Sequence, residues 1–126
     1  MATFQHPHKL SSKRQGDAAE DEALAFLQAQ GLQLVQRNFR TPGRGGGEID
    51  LIVRDRQGTL VFVEVRSRSH AGHGGALASI GATKRQRIVF AARCFLSRLP
   101  HLPACRFDVV VVQAGQLQWI QAAFEC

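Results

Sequence analysis

The stretch GEIDLIVRDRQGTLVFVEVR, residues 47–66, decides the fold. Two runs of strand character, EIDLIVRD and TLVFVEVRSR, flank Arg56, Gln57 and Gly58. A three-residue connection ending in glycine matches a type I turn followed by a bulge, so the segment reads as a β-hairpin. The loop sets the register. With Asp55 facing Thr59, counting back pairs Ile52 with Phe62 on one face and Leu51 with Val63 on the other. The same count sets Asp50 opposite Glu64 and Glu48 opposite Arg66. Glu48 with Arg66 is an ordinary cross-strand pair of opposite charges, worth roughly 0.2–1 kcal/mol. Asp50 beside Glu64 is a like-charge pair and is destabilising unless a cation lies between them, either a lysine or arginine or a metal ion. Carboxylates joined by a strand carbonyl and waters are the oxygen ligands that Mg²⁺ or Mn²⁺ takes.

Upstream of the hairpin, Ala19, Ala23, Phe26 and Leu27 recur at helical spacing before Gly31 supplies a stop. Glu20 precedes Ala23 and Leu27 on the same stripe, and a core-facing carboxylate wants a partner. It either completes a metal site or pairs with a basic residue, and spacing slightly favours the latter. LQLVQRNFR, residues 32–40, has β character, and TPGRGGG, 41–47, breaks regular structure. That glycine run does not end in the GK[ST] of a phosphate-binding loop, so it is not a nucleotide cradle.

Downstream, SHAGHGGALASIGA (69–82) is a glycine-rich connection. In TKRQRIVFAARCFLSRL, residues 83–99, Ile88, Ala92, Phe95 and Leu99 form a second helical stripe. Thr83 and Gln86 have capping-box spacing, which predicts that this helix starts at Thr83. RFDVVVVQ (106–113) is the near-continuous apolar run of a strand covered on both faces, and QLQWIQ (116–121) returns beside it. The predicted order is helix, three strands, helix, then one or two strands. It implies an α/β fold with a mixed central sheet flanked by helices, and a right-handed crossover from the strand at 59–67 to the strand at 106.

A chain of 126 residues is expected to form one domain, with residues 1–10 as a ragged arm. The net charge of +6 points to a polyanionic partner. Lys84, Arg85 and Arg87 crowd the first turn of the second helix, where cations oppose the helix dipole but strengthen its attraction for anions; a solvated basic face is the alternative. Arg44 and Arg68 are further candidate phosphate contacts. Three cysteines without CxxC spacing suggest neither a disulfide framework nor a zinc site, and no segment reads as a signal peptide or a membrane span. The expected location is the cytoplasm, with no membrane partner. The five histidines carry no assigned role.

The elements GEID at 47–50, FVEVR at 62–66, Lys84 and RFDVV at 106–110, with the region of Gly16 and Glu20 and the RN at 37–38, resemble the YraN family of uncharacterised bacterial proteins. That family is similar to archaeal Holliday-junction resolvases and other PD-(D/E)xK nucleases. The resemblance implies a restriction-endonuclease-like αβββαβ core and Mg²⁺- or Mn²⁺-dependent hydrolysis of phosphodiesters, with branched DNA a candidate substrate, DNA favoured over RNA and a homodimer by analogy. It casts Asp50 and Glu64 as metal ligands with the Val65 carbonyl, and Glu20 as the accessory acid. The motif lysine falls at Arg66. Arginine cannot give up its proton to serve as a general base, so Arg66 would stabilise charge on the phosphate, with Lys84 as a displaced lysine. Two other readings compete. One is an inactive nucleic-acid-binding module of the same fold; the other is an adaptor using an exposed sheet edge near Trp119 to Phe124.

Overall fold

A computed structural model describes residues 12–43, 46–68 and 80–124. Helix α1 (Ser12–Ala29) leads into β1 (Gln33–Arg40), followed by the hairpin of β2 (Glu48–Arg54) and β3 (Leu60–Arg68). Helix α2 (Ala82–Leu96), β4 (Cys105–Gln113) and β5 (Gln116–Phe124) complete the order. The strands form one sheet in the order β1-β2-β3-β4-β5. Every pairing is antiparallel except β3 with β4. Parallel neighbours need a long crossover, and α2 lies within it. The architecture is α/β with the expected αβββαβ order, extended by β5.

The hairpin register is the one dictated by its loop. Leu51 pairs with Val63 and Ile52 with Phe62. Asp55 N–H donates to the Thr59 carbonyl at 3.0 Å, and Gly58 takes a positive φ of 90° that a side chain would resist. Strand alternation then separates two cores. Leu51, Val53, Val61 and Val63 pack under Ala19, Ala23 and Leu27 of α1. Ile52, Leu60 and Phe62 pack under Ile88, Ala91, Ala92 and Phe95 of α2. Val109 to Val112 are all buried because both faces of β4 are covered.

Three expectations need correction or restriction. Helix α2 begins at Ala82, capped by Gly81 in an extended conformation with no side-chain cap bond; Thr83 is already helical, so its hydroxyl does not close the capping box. Glu48 does not pair with Arg66. Beyond Leu51 and Val63 the β2–β3 ladder stops, while β2 stays paired with β1, and Glu48 meets Arg40 there at 3.2 Å. The arm at 1–10, Arg44 and most of the 69–82 connection lie outside the described residues.

Candidate metal centre and nucleic-acid interface

The site forms where two strands interrupt their pleat side by side. Residues two apart on a regular strand share a face. On β1, however, Arg37 reaches Glu20 and Asp21 of α1, whereas Phe39 packs edge-on against Phe95 of α2 at 5.4 Å between ring centres. The break falls at Asn38, which has a φ of 53°. On β2, Leu51 lies in the core under α1 and Ile49 in the core under α2. The register leaves Asp50 at that second break, opposite Asn38. Asparagine is among the residues that tolerate the left-handed region, which explains its place in the RN pair.

The interruption frees Asp50 from a regular strand position. Its Oδ2 accepts the backbone N–H of Val65 at 2.8 Å, continuing the β2–β3 connection after the ladder has ended. Beside it, Glu64 is 5% exposed, and its Oε1 is buried without a hydrogen-bond partner. The other oxygen, Oε2, lies 3.5 Å from Arg66 Nε and 3.6 Å from Lys84 Nζ. Burial, and then the Glu64 charge, push Asp50 up to about 7 against the opposing hydrogen bond from Val65. Burial also raises Glu64, although Lys84, Arg66 and a hydrogen bond with the Asp50 carboxyl pull the other way. Burial followed by the Asp50 charge raises Glu20, opposed by Arg37.

Glu20 is buried on α1 and pairs with Arg37 at 3.4 Å, the basic partner that its helical position called for. With its amide nitrogen turned toward the acids, Asn38 donates to Glu20 Oε1 at 3.3 Å and Glu48 Oε2 at 3.1 Å. A cleft of about 360 Å³ is lined by Gly16, Asp17, Glu20, Asn38, Arg40, Glu48 and Asp50. Among the described residues, no three carboxylate, imidazole or thiol groups are gathered as a ready ligand set. Asp50 and Glu64 therefore form the nucleus of the site, and Glu20 lines the approach to it. The orphaned Glu64 Oε1 and the elevated Asp50 are what a divalent cation would satisfy, so the donor set fits Mg²⁺ or Mn²⁺.

The basic residues divide. Lys84 reaches Glu64. Arg87 joins Arg40 and Lys84 around a second cleft. Arg85 is not brought to it: its Nε donates to the Ile80 carbonyl at 3.1 Å, and its guanidinium lies 5.7 Å from the Phe124 ring centre. Arg68 closes β3 opposite Gln113. At the far edge, Trp119 packs against Phe26, and Phe124 stacks on Phe107. Asp108, fully buried, accepts from Trp119 Nε1 and Ala122 N–H, both at 2.9 Å, and from Arg106 Nε at 3.0 Å. Sequence reading gave no role to Arg37, Asn38, Arg40 or Asp108. The RN pair and RFDVV held the signal for three of them.

Fold and site together define an α/β protein of αβββαβ order with a buried carboxylate pair at the frayed end of its central hairpin. The chain belongs to the uncharacterised protein family UPF0102, whose pattern matches residues 19–112, and this is the family that the sequence motifs resemble. It is 66% identical over 117 residues to a UPF0102 protein of Paracidovorax citrulli, covering 93% of this chain and 87% of the relative. It is 64% identical over 115 residues to one of Albidiferax ferrireducens, covering 91% and 90% respectively. No helix among the described residues is long and apolar enough to cross a membrane.

Proposed function

We propose that this protein is a Mg²⁺- or Mn²⁺-dependent nuclease that hydrolyses phosphodiester bonds, with DNA as its substrate. The observation that carries the proposal is the buried pair of Asp50 and Glu64, with Glu64 Oε1 unpartnered and two cations at its other oxygen. Stability alone gives no reason to bury two carboxylates together, since burial makes each harder to ionise and the Glu64 charge raises Asp50 further.

Asp50, Glu64 and the Val65 carbonyl would hold the metal, with Glu20 completing the set. When bound, the metal polarises a phosphoryl oxygen and lowers the pKa of a bound water. The chain's own residues account for the rest. The Val65 N–H fixes the Asp50 carboxylate in place. Lys84 and Arg66, a few ångströms from Glu64, would stabilise charge developing on a phosphate. Arg66 cannot act as a base. Asn38 and Arg37 orient Glu20 at the mouth of the cleft.

One observation favours a second reading, an inactive nucleic-acid-binding module: Arg66 pairs with Glu64 and supplies a permanent positive charge where a metal would otherwise be needed. Cleavage of labelled branched, duplex and single-stranded DNA with Mg²⁺ or Mn²⁺ separates the two readings. A nuclease cuts at least one substrate, loses that activity in EDTA, and loses it in both Asp50→Asn and Glu64→Gln. Binding without cleavage in either metal supports the module.

A further inference from the structure

On the other side of the Arg40–Glu48 ion pair from the carboxylate cleft lies a second cavity of about 290 Å³. Its walls are Arg40, Thr41, the Gly46–Gly47 backbone, Lys84 and Arg87. Three of these residues are cationic. The one acid, Glu48, is already occupied by Arg40 at 3.2 Å and by the Asn38 amide. Arg40 and Glu48 line both cavities, so the two are adjoining halves of one groove. Lys84 lines the basic half and also stands 3.6 Å from Glu64.

This half of the groove is a built feature. The loop closes on itself: Thr41 N–H donates to the Gly47 carbonyl at 3.1 Å, and Gly47 N–H donates to Thr41 Oγ1 at 2.8 Å. A Cβ at Gly47 would run into the Arg87 carbonyl, and one at Gly46 into the Thr41 side chain. Only glycine lets the loop backbone lie against the first turns of α2, and that contact brings Arg40 and Arg87 to the same cavity.

We infer that this cavity is a phosphate subsite, held by Arg40, Arg87 and Lys84, which takes the nucleic-acid phosphate next to the one presented to Asp50 and Glu64. The inference rests on the proposed nuclease reading and deepens it by giving the strand a direction across the site, from the basic half into the acidic half. Two adjoining cavities suit an internal diester of a strand running across both. Phosphate charge would also compete with Glu48 for Arg40.

The test measures binding of a fluorescent single-stranded oligonucleotide to the full chain in EDTA, by anisotropy across a salt series, so that cleavage plays no part. Arg87 is exposed, so Arg87→Ala keeps the fold. It is expected to weaken binding roughly tenfold and to lower the salt slope by about one phosphate contact. Arg87→Lys should keep the slope while losing part of the affinity. Arg93→Ala, on an exposed later turn of α2, serves as the control and should leave both unchanged. Equal losses with 5′-phosphorylated and 5′-hydroxyl oligonucleotides support an internal diester; a loss confined to the phosphorylated one supports a terminal phosphate in the same subsite. Wild-type affinity and slope in Arg87→Ala, or no binding by wild type, overturn the subsite. Arg87-dependent binding with no cleavage in Mg²⁺ or Mn²⁺ overturns the nuclease reading alone.

Discussion

The Asp50 carboxylate accepts the backbone N–H of Val65 at 2.8 Å, just past the Leu51–Val63 pair where the strand ladder ends. One side chain thereby holds the hairpin's end together and faces Glu64. Asn keeps an acceptor for that N–H but loses the charge. Asp50→Asn should therefore fold as wild type while its Mn²⁺ affinity, read by calorimetric titration, falls more than about tenfold. Asp50→Ala should lose roughly 1 kcal/mol more in urea unfolding, because the Val65 N–H is then orphaned. Unchanged Mn²⁺ affinity in Asp50→Asn would remove Asp50 from the metal site.

The elevated acids predict an unusual pH profile for the metal-free protein. Asp50 titrates at about 7 when folded and near 4 when unfolded. Between those values the folded state retains a proton that the unfolded state has lost, so stability falls as pH rises through the window and levels off above it. Glu20 and Glu64 shift in the same direction. The thermal midpoint in EDTA should be higher at pH 5.5 than at pH 8, in a test window of about 4 to 8. Asp50→Asn should flatten the profile and be more stable than wild type at the upper end, by an amount on the order of 2 kcal/mol. Mn²⁺ should flatten it too. A wild type more stable at the upper end without metal contradicts the burial of this pair.

Arg66 occupies the position of the motif lysine. If its work is electrostatic, charge matters there and proton transfer does not. Arg66→Lys should keep most of the metal-dependent cleavage with an unchanged pH–rate profile, while Arg66→Ala should lose about a hundredfold in kcat/KM. Lys84→Met should cost a similar factor, since both cations meet the same Glu64 oxygen. A new pH limb appearing in Arg66→Lys would mean that a titrating base can operate at that position.

Asp108 is a structural lock, and its removal should separate stability from metal binding. Truncation strands the Trp119 indole N–H and the Ala122 N–H, and leaves the Arg106 guanidinium with Asp55 as its remaining carboxylate. Asp108→Ala should cost roughly 3–5 kcal/mol in urea unfolding. Asp108→Asn, which still offers one acceptor, should cost less. In whichever variant stays folded, Mn²⁺ affinity should match wild type.

The fold was legible where the information is local. A three-residue loop with Gly58 last fixes the hairpin register. Helical spacing marks Ala19, Ala23 and Leu27 as one buried stripe, and four consecutive valines mark a doubly covered strand. Local reading failed at the start of α2. Thr83 and Gln86 have the right spacing, yet the extended Gly81 ends the preceding loop and takes the cap position. It failed again at Glu48, because charges are shared among all neighbouring strands and β1 offered Arg40.

Local turn geometry is enough to bring Asp50 toward Glu64, because both lie on one hairpin whose ladder keeps the loop-dictated register as far as Leu51–Val63, one pair short of them. The tertiary structure alone decided what surrounds them. Asn38 in its left-handed conformation, the face change at Asp50, Arg37 drawn to Glu20, and the Gly46–Gly47 loop laid against Arg87 each join segments far apart in the chain. Turn geometry acts over a few residues and leaves its mark in residue type. The placement of a cation beside a carboxylate depends on how whole elements pack, and no short stretch of sequence carries that.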